Sequence, residues 1–262
     1  MPATAIIPAR LGSTRFPGKA LAAKTGKPMV VHVCERAASA ASVGRVVVAT
    51  DAEEIASAVR AAGFEAVMTR PEHTNGTSRI GEAADALGLA ADAVVVNVQG
   101  DEPEIEPSLI DAAVGALDHR ISEAPDWAPM AATVAAPFRE GEDPADPNIV
   151  KALVGLWDGP ERTGPALTFT RANAPYPRDP SAAAKPLKHL GLYGCTVASL
   201  RIYLRLRPTP LEQTEMLEQL RWLEHALPIA VAVRESAHHG IDTPEQYAAF
   251  VERYRAQATA RG

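Results

Sequence analysis

Short apolar runs alternate with segments of helical periodicity along the first hundred residues. After Pro28, which suits a first helical turn, Val30, Val31 and Cys34 recur at the spacing of one helix face. Runs with the length and branched side chains of buried strands lie at 5–7, 45–50, 65–68 and 93–98. Strands that alternate with helices in this way predict a parallel, doubly wound α/β sheet.

The rest of the chain continues the pattern less regularly. It predicts strands at 130–136, 166–171 and 229–233, and helices at 107–119, within 208–223 after an initial turn, and from Thr243 onward. We expect one domain over 1–262, with an α/β, mainly parallel, Rossmann-like sheet and a smaller antiparallel excursion. Asp51 and Asp242 stand directly before predicted helices, where an aspartate is a good N-cap.

Composition narrows the class of protein. The 262 residues carry 26 Lys and Arg against 32 Asp and Glu, a net charge of −6, which argues against general nucleic-acid binding. Cys34 and Cys195 have neither metal-site spacing nor a disulfide framework around them. No apolar run approaches the ~18 residues of a membrane span, and no signal-peptide pattern opens the chain. We therefore expect a soluble, cytoplasmic protein that binds no membrane.

The loop after the first strand has the composition of a phosphate-binding loop. Gly12 and Gly18 let the backbone approach an anion, Ser13 adds a hydroxyl, and three cations can offset several negative charges. Those cations are Arg10, Arg15 and Lys19. The spacing is not that of a Walker loop, because five residues separate the glycines and Ala20 follows Lys19. The residues favour a diphosphate or triphosphate ligand, with an ordinary basic surface loop as the alternative.

A second candidate site follows the strand at 93–98. The residues Gln99, Gly100 and Asp101 come directly after it, where an open α/β sheet binds its ligand. Nucleoside triphosphates carry Mg²⁺, which binds to one or two carboxylates together with phosphate oxygens and water. Asp101 is therefore a candidate Mg²⁺ ligand.

Three stretches together resemble one family. They are Pro8-Ala9-Arg10 through Pro17-Gly18-Lys19, Gln99-Gly100-Asp101-Glu102-Pro103, and Pro210-Leu211-Glu212 through Glu218-Gln219-Leu220-Arg221. They resemble the sugar-acid cytidylyltransferases, and most closely those that act on 3-deoxy-manno-octulosonate (Kdo). The resemblance implies a nucleotidyltransferase that converts CTP and Kdo to CMP-Kdo and pyrophosphate for lipopolysaccharide biosynthesis. It also implies Mg²⁺, a homodimer, and a sugar-binding and dimerisation excursion at about 137–225.

The resemblance assigns roles residue by residue. The implied nucleotide-binding residues are Pro8, Ala9, Arg10, Ser13, Arg15, Lys19, Gly76, Thr77, Arg79 and Gln99. The implied sugar-binding residues are Gln99, Arg171, His189, Tyr193, Gln213 and Glu215. Arg10, Lys19 and Asp101 would be catalytic, and Asp101 and Asp242 would be the metal ligands. The even separation of His189 and Tyr193 on a strand predicts that they share one face, and the imidazole is expected to bond a carboxylated sugar.

The chain departs from the family pattern at Ser78, Pro177 and Cys195. These departures leave open a different sugar acid, such as a sialic-type acid or an 8-amino analogue of Kdo. A non-catalytic nucleotide-binding protein is a further alternative. Against it, the chain has both Asp101 and Asp242, and nucleotide binding alone does not require a metal bridge.

Overall fold

The computed structural model describes residues 2–12, 15–119, 121, 124, 126–155, 162–179, 181, 186–236 and 240–261. The chain forms two compact units. The first comprises Met1–Ala90, Asn97–Ser108 and Ala237–Gly262, and the second Ala91–Val96 and Leu109–Ser236. The excursion predicted at about 137–225 falls within the second unit.

The first unit alternates strands and helices as the hydrophobic pattern predicts. Its strands are β1 (Ala3–Ala9), β2 (Val43–Thr50) and β3 (Glu65–Met68), and its helices are α1 (Met29–Ala38), α2 (Glu53–Ala61) and α3 (Gly76–Ala86). A 3₁₀ turn at Lys19–Leu21 follows β1. The strands lie in the order β3-β2-β1 and pair in parallel, with Ile6 opposite Val47 and Val48 opposite Ala66.

The C-terminal helix α8 (Pro244–Arg261) belongs to the first unit and packs on its core. Tyr247 and Phe250 are buried with Met29 of α1 and with Ile241. Burying large apolar side chains of this kind stabilises a fold by about 1.5–3 kcal/mol each. This packing holds the start of α8, and the neighbouring Asp242, close to α1.

The second unit contains the remaining elements. Its strands are β4 (Val94–Asn97, whose last residue lies in the first unit), β5 (Ala131–Pro137), β6 (Lys151–Val154), β7 (Thr163–Thr170), β8 (Leu187–Thr196) and β9 (Ile229–Val233). Its helices are α4 (Pro107–Gly115, begun in the first unit), α5 (Val197–Tyr203), α6 (Pro210–Glu215) and α7 (Leu220–Glu224). A 3₁₀ turn at Ala116–Asp118 follows α4.

The sheet of the second unit corrects the expectation of a mainly parallel fold. Its strand order is β4-β8-β5-β9-β7-β6. The pair β5–β9 is parallel, whereas β5–β8, β6–β7, β6–β8 and β7–β9 are antiparallel. The α/β class is confirmed, but antiparallel pairing is more than a small excursion. Strand spacing alone did not reveal it, because short apolar runs look alike in either pairing.

The prediction of one helix after the turn within 208–223 is wrong, because the segment contains two helices. The segment breaks into α6 and α7 at Met216, which adopts the left-handed conformation with φ 53°. A non-glycine residue in that region is strained by about 1–2 kcal/mol, so tertiary contacts must compensate. The Glu215 carboxylate supplies them, accepting hydrogen bonds from Thr170 Oγ1 and the Arg171 amide at 2.6 Å each.

Among the helices that the structure describes, none combines the length and the apolar character that crossing a membrane requires.

Candidate active site

A cavity of about 320 Å³ opens in the first unit, beside the carboxyl end of β1 and the residues that follow β4. Most of the predicted nucleotide and metal residues line it. They are Pro8, Ala9, Arg10, Arg15, Lys19, Gly76, Arg79, Gln99, Asp101 and Asp242. Thr77 is not among the lining residues, and Ser13 lies outside the described residues. The structure thus gathers in one place side chains that are up to 234 positions apart in sequence, from Pro8 to Asp242.

Glycines let the cavity wall close around Pro8. A Cβ on Gly100 would lie 2.8 Å from the Pro8 carbonyl oxygen, and one on Gly76 would lie 3.1 Å from Pro8 Cγ. Gly18 is in the left-handed region with φ 68° and directly precedes Lys19. A side chain at Gly100 would push the wall apart, so this position requires a glycine.

Lys19 joins the two predicted metal ligands. Its Nζ donates to Asp101 Oδ2 at 2.7 Å, to Asp242 Oδ1 at 3.2 Å and to the Ile241 carbonyl oxygen at 3.0 Å. The Lys19 side chain is 16% exposed, against 32% and 42% for the two aspartates. The ammonium offsets two carboxylates that would otherwise repel each other. Lys19, expected to contact phosphate, therefore lies between the carboxylates in this structure.

The two arginines of the loop are more exposed. Arg15 pairs with Asp242 Oδ2 at 3.0 Å, and its side chain is 67% exposed. An ion pair as open as this contributes at most about 1 kcal/mol to stability. Arg10 is exposed at the cavity wall. Both guanidinium groups are therefore accessible to an anionic ligand.

Asp242 is not the helix cap that its position predicted. Its carboxylate is engaged by Lys19 and Arg15, and Thr243 Oγ1 accepts the amide of Gln246 at 3.3 Å instead. Gln246 Oε1 in turn accepts the Asp242 and Thr243 amides at 2.7 and 3.0 Å. This reciprocal arrangement is a capping box centred on Thr243. The Asp242 side chain therefore does not cap α8 and lines the cavity.

Arg79 is held firmly within the protein. It is 3% exposed and donates to Thr69 Oγ1 at 2.6 Å and to Asp51 Oδ2 at 2.8 Å. Asp51, expected to cap α2, is engaged by this ion pair, and the N-cap position falls to Ala52 without a side-chain bond. Arg79 therefore ties the start of α3 to the end of β2 while it lines the cavity.

Sequence reasoning missed His73 and Asn75, which also line the cavity. Asn75 caps α3 by accepting the Ser78 amide at 2.9 Å. The His73 ring contacts Ser78 Oγ at 3.0 Å and, on its other edge, the Glu82 carboxylate. Burial alone would raise the pKa of Glu82, but hydrogen bonds from His73 and Arg70 outweigh it and lower the pKa. The run of polar residues after β3 was the sequence feature that could have indicated these two cavity residues.

In the second unit, the predicted sugar-binding residues form two groups. In the first, Arg171 Nε donates to the Glu215 carbonyl at 2.7 Å and its Nη1 to the Pro147 carbonyl at 2.8 Å. The buried Lys151 beneath donates to the carbonyls of Asp146, Ile149 and Arg171. Burial lowers the pKa of Lys151. Gln213 of α6 is exposed.

The second group is His189 and Tyr193 on β8, whose rings lie 5.3 Å apart. They share a face although β8 bulges between them, where Gly191 has φ 66°. The Tyr193 hydroxyl is buried and has no hydrogen-bond partner among the described residues. Nearby Cys195, one of the departures, is buried on β8, and burial raises the pKa of its thiol to about 12.

The donor set in the first unit fits Mg²⁺. Asp101 and Asp242 each place a carboxylate oxygen within hydrogen-bond distance of one cationic nitrogen, so a cation is already held between hard oxygen donors. Within the described ranges, no group of three or more His, Cys, Asp or Glu is placed to hold a metal. Mg²⁺ commonly uses one or two carboxylates and takes its other ligands from phosphate and water.

Comparisons with known proteins agree with this geometry. A family model described as Cytidylyltransferase matches residues 4–229. The chain is 50% identical over 252 residues to a 3-deoxy-manno-octulosonate cytidylyltransferase from Azorhizobium caulinodans, covering 96% of this chain and 93% of that one. It is 45% identical over 251 residues to one from Herminiimonas arsenicoxydans, covering 92% and 94%.

Solved structures give the same result. One of CMP:2-keto-3-deoxy-manno-octonic acid synthetase complexed with CTP matches with a TM-score of 0.83 and 36% identity over the whole of both chains. An apo UDP-glucose pyrophosphorylase matches with a TM-score of 0.66 at 14% identity, which reflects a common fold. From the family model and the relatives together, the chain belongs to the 3-deoxy-manno-octulosonate cytidylyltransferase family.

Proposed function

We propose that the chain is an enzyme that transfers CMP from CTP to Kdo, forming CMP-Kdo and pyrophosphate. The structural observation that carries this proposal is the placement of Lys19, Asp101 and Asp242 together in one cavity with two accessible arginines. The identity of the substrates is supported by the names of relatives 45–50% identical to the chain and by a related structure complexed with CTP.

In the proposed reaction, the anomeric hydroxyl of Kdo attacks the α-phosphorus of CTP in line, and pyrophosphate leaves. A transfer of this kind is mostly positioning and charge stabilisation. Arg10 and Arg15 would bind the phosphates from the exposed side of the cavity, where both guanidinium groups are accessible. Lys19 would hold the two carboxylates in place and offset the charge that develops during transfer.

The proposed cofactor is Mg²⁺, held by Asp101 and Asp242. When bound, it supplies Lewis-acid stabilisation of phosphate oxygens and lowers the pKa of the attacking hydroxyl. The base would lie against the wall formed by Pro8, Ala9 and Gly76, with Gln99 nearby. That wall is built from backbone and small residues, which can read a pyrimidine through its polar edge.

For the sugar acid, we propose the two groups of the second unit. Arg171 donates two hydrogen bonds to Glu215, and His189 and Tyr193 present a pair of rings. We also propose a homodimer, supported by the exposure of Leu167, Leu211 and Met216 on the same unit, at 63%, 51% and 78%. Sedimentation of the purified chain at micromolar concentration would give the oligomeric state. We further propose that the enzyme acts in the cytoplasm and that its product supplies lipopolysaccharide biosynthesis.

A substrate panel tests the choice of sugar acid. The purified chain, CTP and Mg²⁺ are incubated with Kdo, with its 8-amino analogue, or with a sialic-type acid, and pyrophosphate release is followed. We expect the highest kcat/KM with Kdo. A higher value with another acid would reassign the substrate. Release with none of them, from a chain with a native melting curve, would overturn the enzymatic proposal in favour of a nucleotide-binding protein.

A further inference from the structure

His189 has a hydrogen-bond partner that the resemblance does not assign. Its Nε2 lies 2.9 Å from the hydroxyl oxygen of Thr133 on β5, a residue with no solvent exposure. The His189 ring is also packed edge-on between Phe169 at 4.9 Å and Tyr193 at 5.3 Å between ring centroids. These contacts fix both the plane of the imidazole and the nitrogen that faces Thr133.

The hydroxyl of Thr133 determines where the imidazole proton lies. The same Oγ1 donates to the Leu192 carbonyl oxygen at 2.6 Å. A hydroxyl has a single proton, and a carbonyl oxygen can only accept, so this proton is committed to Leu192. Toward His189 the hydroxyl can then only accept. The hydrogen bond to His189 therefore requires that Nε2 carries hydrogen.

The bulge in β8 makes this arrangement possible. Thr133 is opposite Tyr193, and Ala135 is opposite His189. His189 and Tyr193 are thus four positions apart on β8, whereas their partners on β5 are only two positions apart. The extra residues include Gly191 in the left-handed conformation at φ 66°. The bulge brings the Leu192 carbonyl and the His189 ring to the same hydroxyl.

We infer that Thr133 is a positioning residue that holds His189 in the Nε2–H tautomer, so that Nδ1 accepts a hydrogen bond from a hydroxyl of the sugar acid and does not bind its carboxylate. This inference rests on the proposed function. An ionised carboxylate has no proton to donate, so it cannot pair with the lone pair of Nδ1. Among the described residues, Nδ1 has no hydrogen-bond partner of its own.

The environment of the ring supports a neutral imidazole. Burial lowers the pKa of His189 to about 3, so the ring stays uncharged at neutral pH. The expected hydrogen bond between His189 and the carboxylated sugar is therefore assigned to a hydroxyl of that sugar. Arg171, which carries a fixed positive charge in the same unit, is the better partner for that carboxylate.

The tautomer is measured directly on the whole free protein. Nitrogen-15 NMR of protein labelled at histidine distinguishes Nε2–H from Nδ1–H, and His189→Gln identifies the signal. We expect the Nε2–H form in the wild type and in Thr133→Ser, which keeps the hydroxyl. In Thr133→Val, which removes it, we expect the signal to shift toward a tautomer mixture. An Nδ1–H form in the wild type would overturn the inference whether or not the valine variant folds.

Kinetics test the ligand half of the inference. Thr133→Val should raise KM for Kdo, by about twofold for an even tautomer mixture, because only the Nε2–H form can accept from the sugar hydroxyl. KM for CTP should stay unchanged, and Thr133→Ser should match the wild type. Unchanged KM for Kdo in a folded Thr133→Val with a shifted tautomer would overturn the acceptor role. If the wild type turns over no sugar acid although His189 is in the Nε2–H form, the proposed function fails, and the acceptor role fails with it.

Discussion

Lys19 is the residue whose removal tests the nucleotide site most sharply. Replacing it by Met deletes one ammonium group and keeps the length of the side chain. The variant loses hydrogen bonds to Asp101, to Asp242 and to the Ile241 carbonyl, and it leaves the two carboxylates without the cation between them. Both the stability of the first unit and the rate of transfer should respond.

The two effects differ in size. Charge-assisted hydrogen bonds contribute about 1.5–3 kcal/mol each when buried, but exposed ion pairs contribute only about 0.2–1 kcal/mol. Because Asp101 and Asp242 are 32% and 42% exposed, we expect the free energy of unfolding to fall by about 1–3 kcal/mol in total. That is less than the stability of a typical domain, so the variant should fold. Loss of a cation at the reacting centre should cost about 2.7–4 kcal/mol, or about 10²–10³ in kcat.

Pyrophosphate release from CTP and Kdo gives the rate, and urea denaturation gives the stability. Lys24→Met is the matched control, since it removes the same charge from an exposed side chain five positions along the chain, outside the cavity lining. Lys24→Met should retain wild-type kcat. If Lys19→Met turned over at a near-normal rate with a native denaturation curve, the role of Lys19 would be refuted.

The remaining predictions concern the metal ligands, the base and a buried histidine. Asp101→Asn and Asp242→Asn should each abolish turnover, and calorimetry should show that each still binds CTP, though more weakly. Because Thr243 caps α8, Asp242→Asn does not remove the helix cap, and a fully active variant would exclude a metal role for Asp242. CTP should be preferred over UTP and ATP in kcat/KM, and a comparable value for ATP would contradict the proposed base site. Burial, followed by the charge of Lys27, lowers the pKa of His32 from 6.5 to about 4, so the folded state resists the proton that the unfolded chain takes up. Stability should therefore be lost as pH falls from about 6.5 to 4, by about 1.4 kcal/mol per pH unit for this proton, and urea titrations should show a shallower loss in His32→Gln.

Hydrophobic periodicity predicted the elements of the first unit well, because that unit alternates strands and helices and pairs its strands in parallel. It did not predict the pairing of the second unit. Which strand β8 lies beside depends on contacts between distant segments, and those contacts leave no local pattern. The break of the predicted helix at Met216 has the same origin. Hydrogen bonds from Thr170 and Arg171, at the end of β7, to the Glu215 carboxylate stabilise it.

The candidate site was predictable where a motif carried it. The loop from Pro8 to Lys19 and the Gln99–Asp101 stretch both line the cavity. What the sequence did not reveal is which partner each charge takes. Asp51 pairs with Arg79 and does not cap α2, and Asp242 faces Lys19 and does not cap α8. Local capping preference lost in both cases to a charged group that folding brings within 3.2 Å.

The most direct test of the central claim is mass spectrometry of the products that the purified chain forms from CTP, Kdo and Mg²⁺. We expect one CMP-Kdo and one pyrophosphate for each CTP consumed, and no product when the Asp101→Asn variant replaces the wild type. Consumption of CTP without CMP-Kdo, or an equal yield from Asp101→Asn, would contradict this claim.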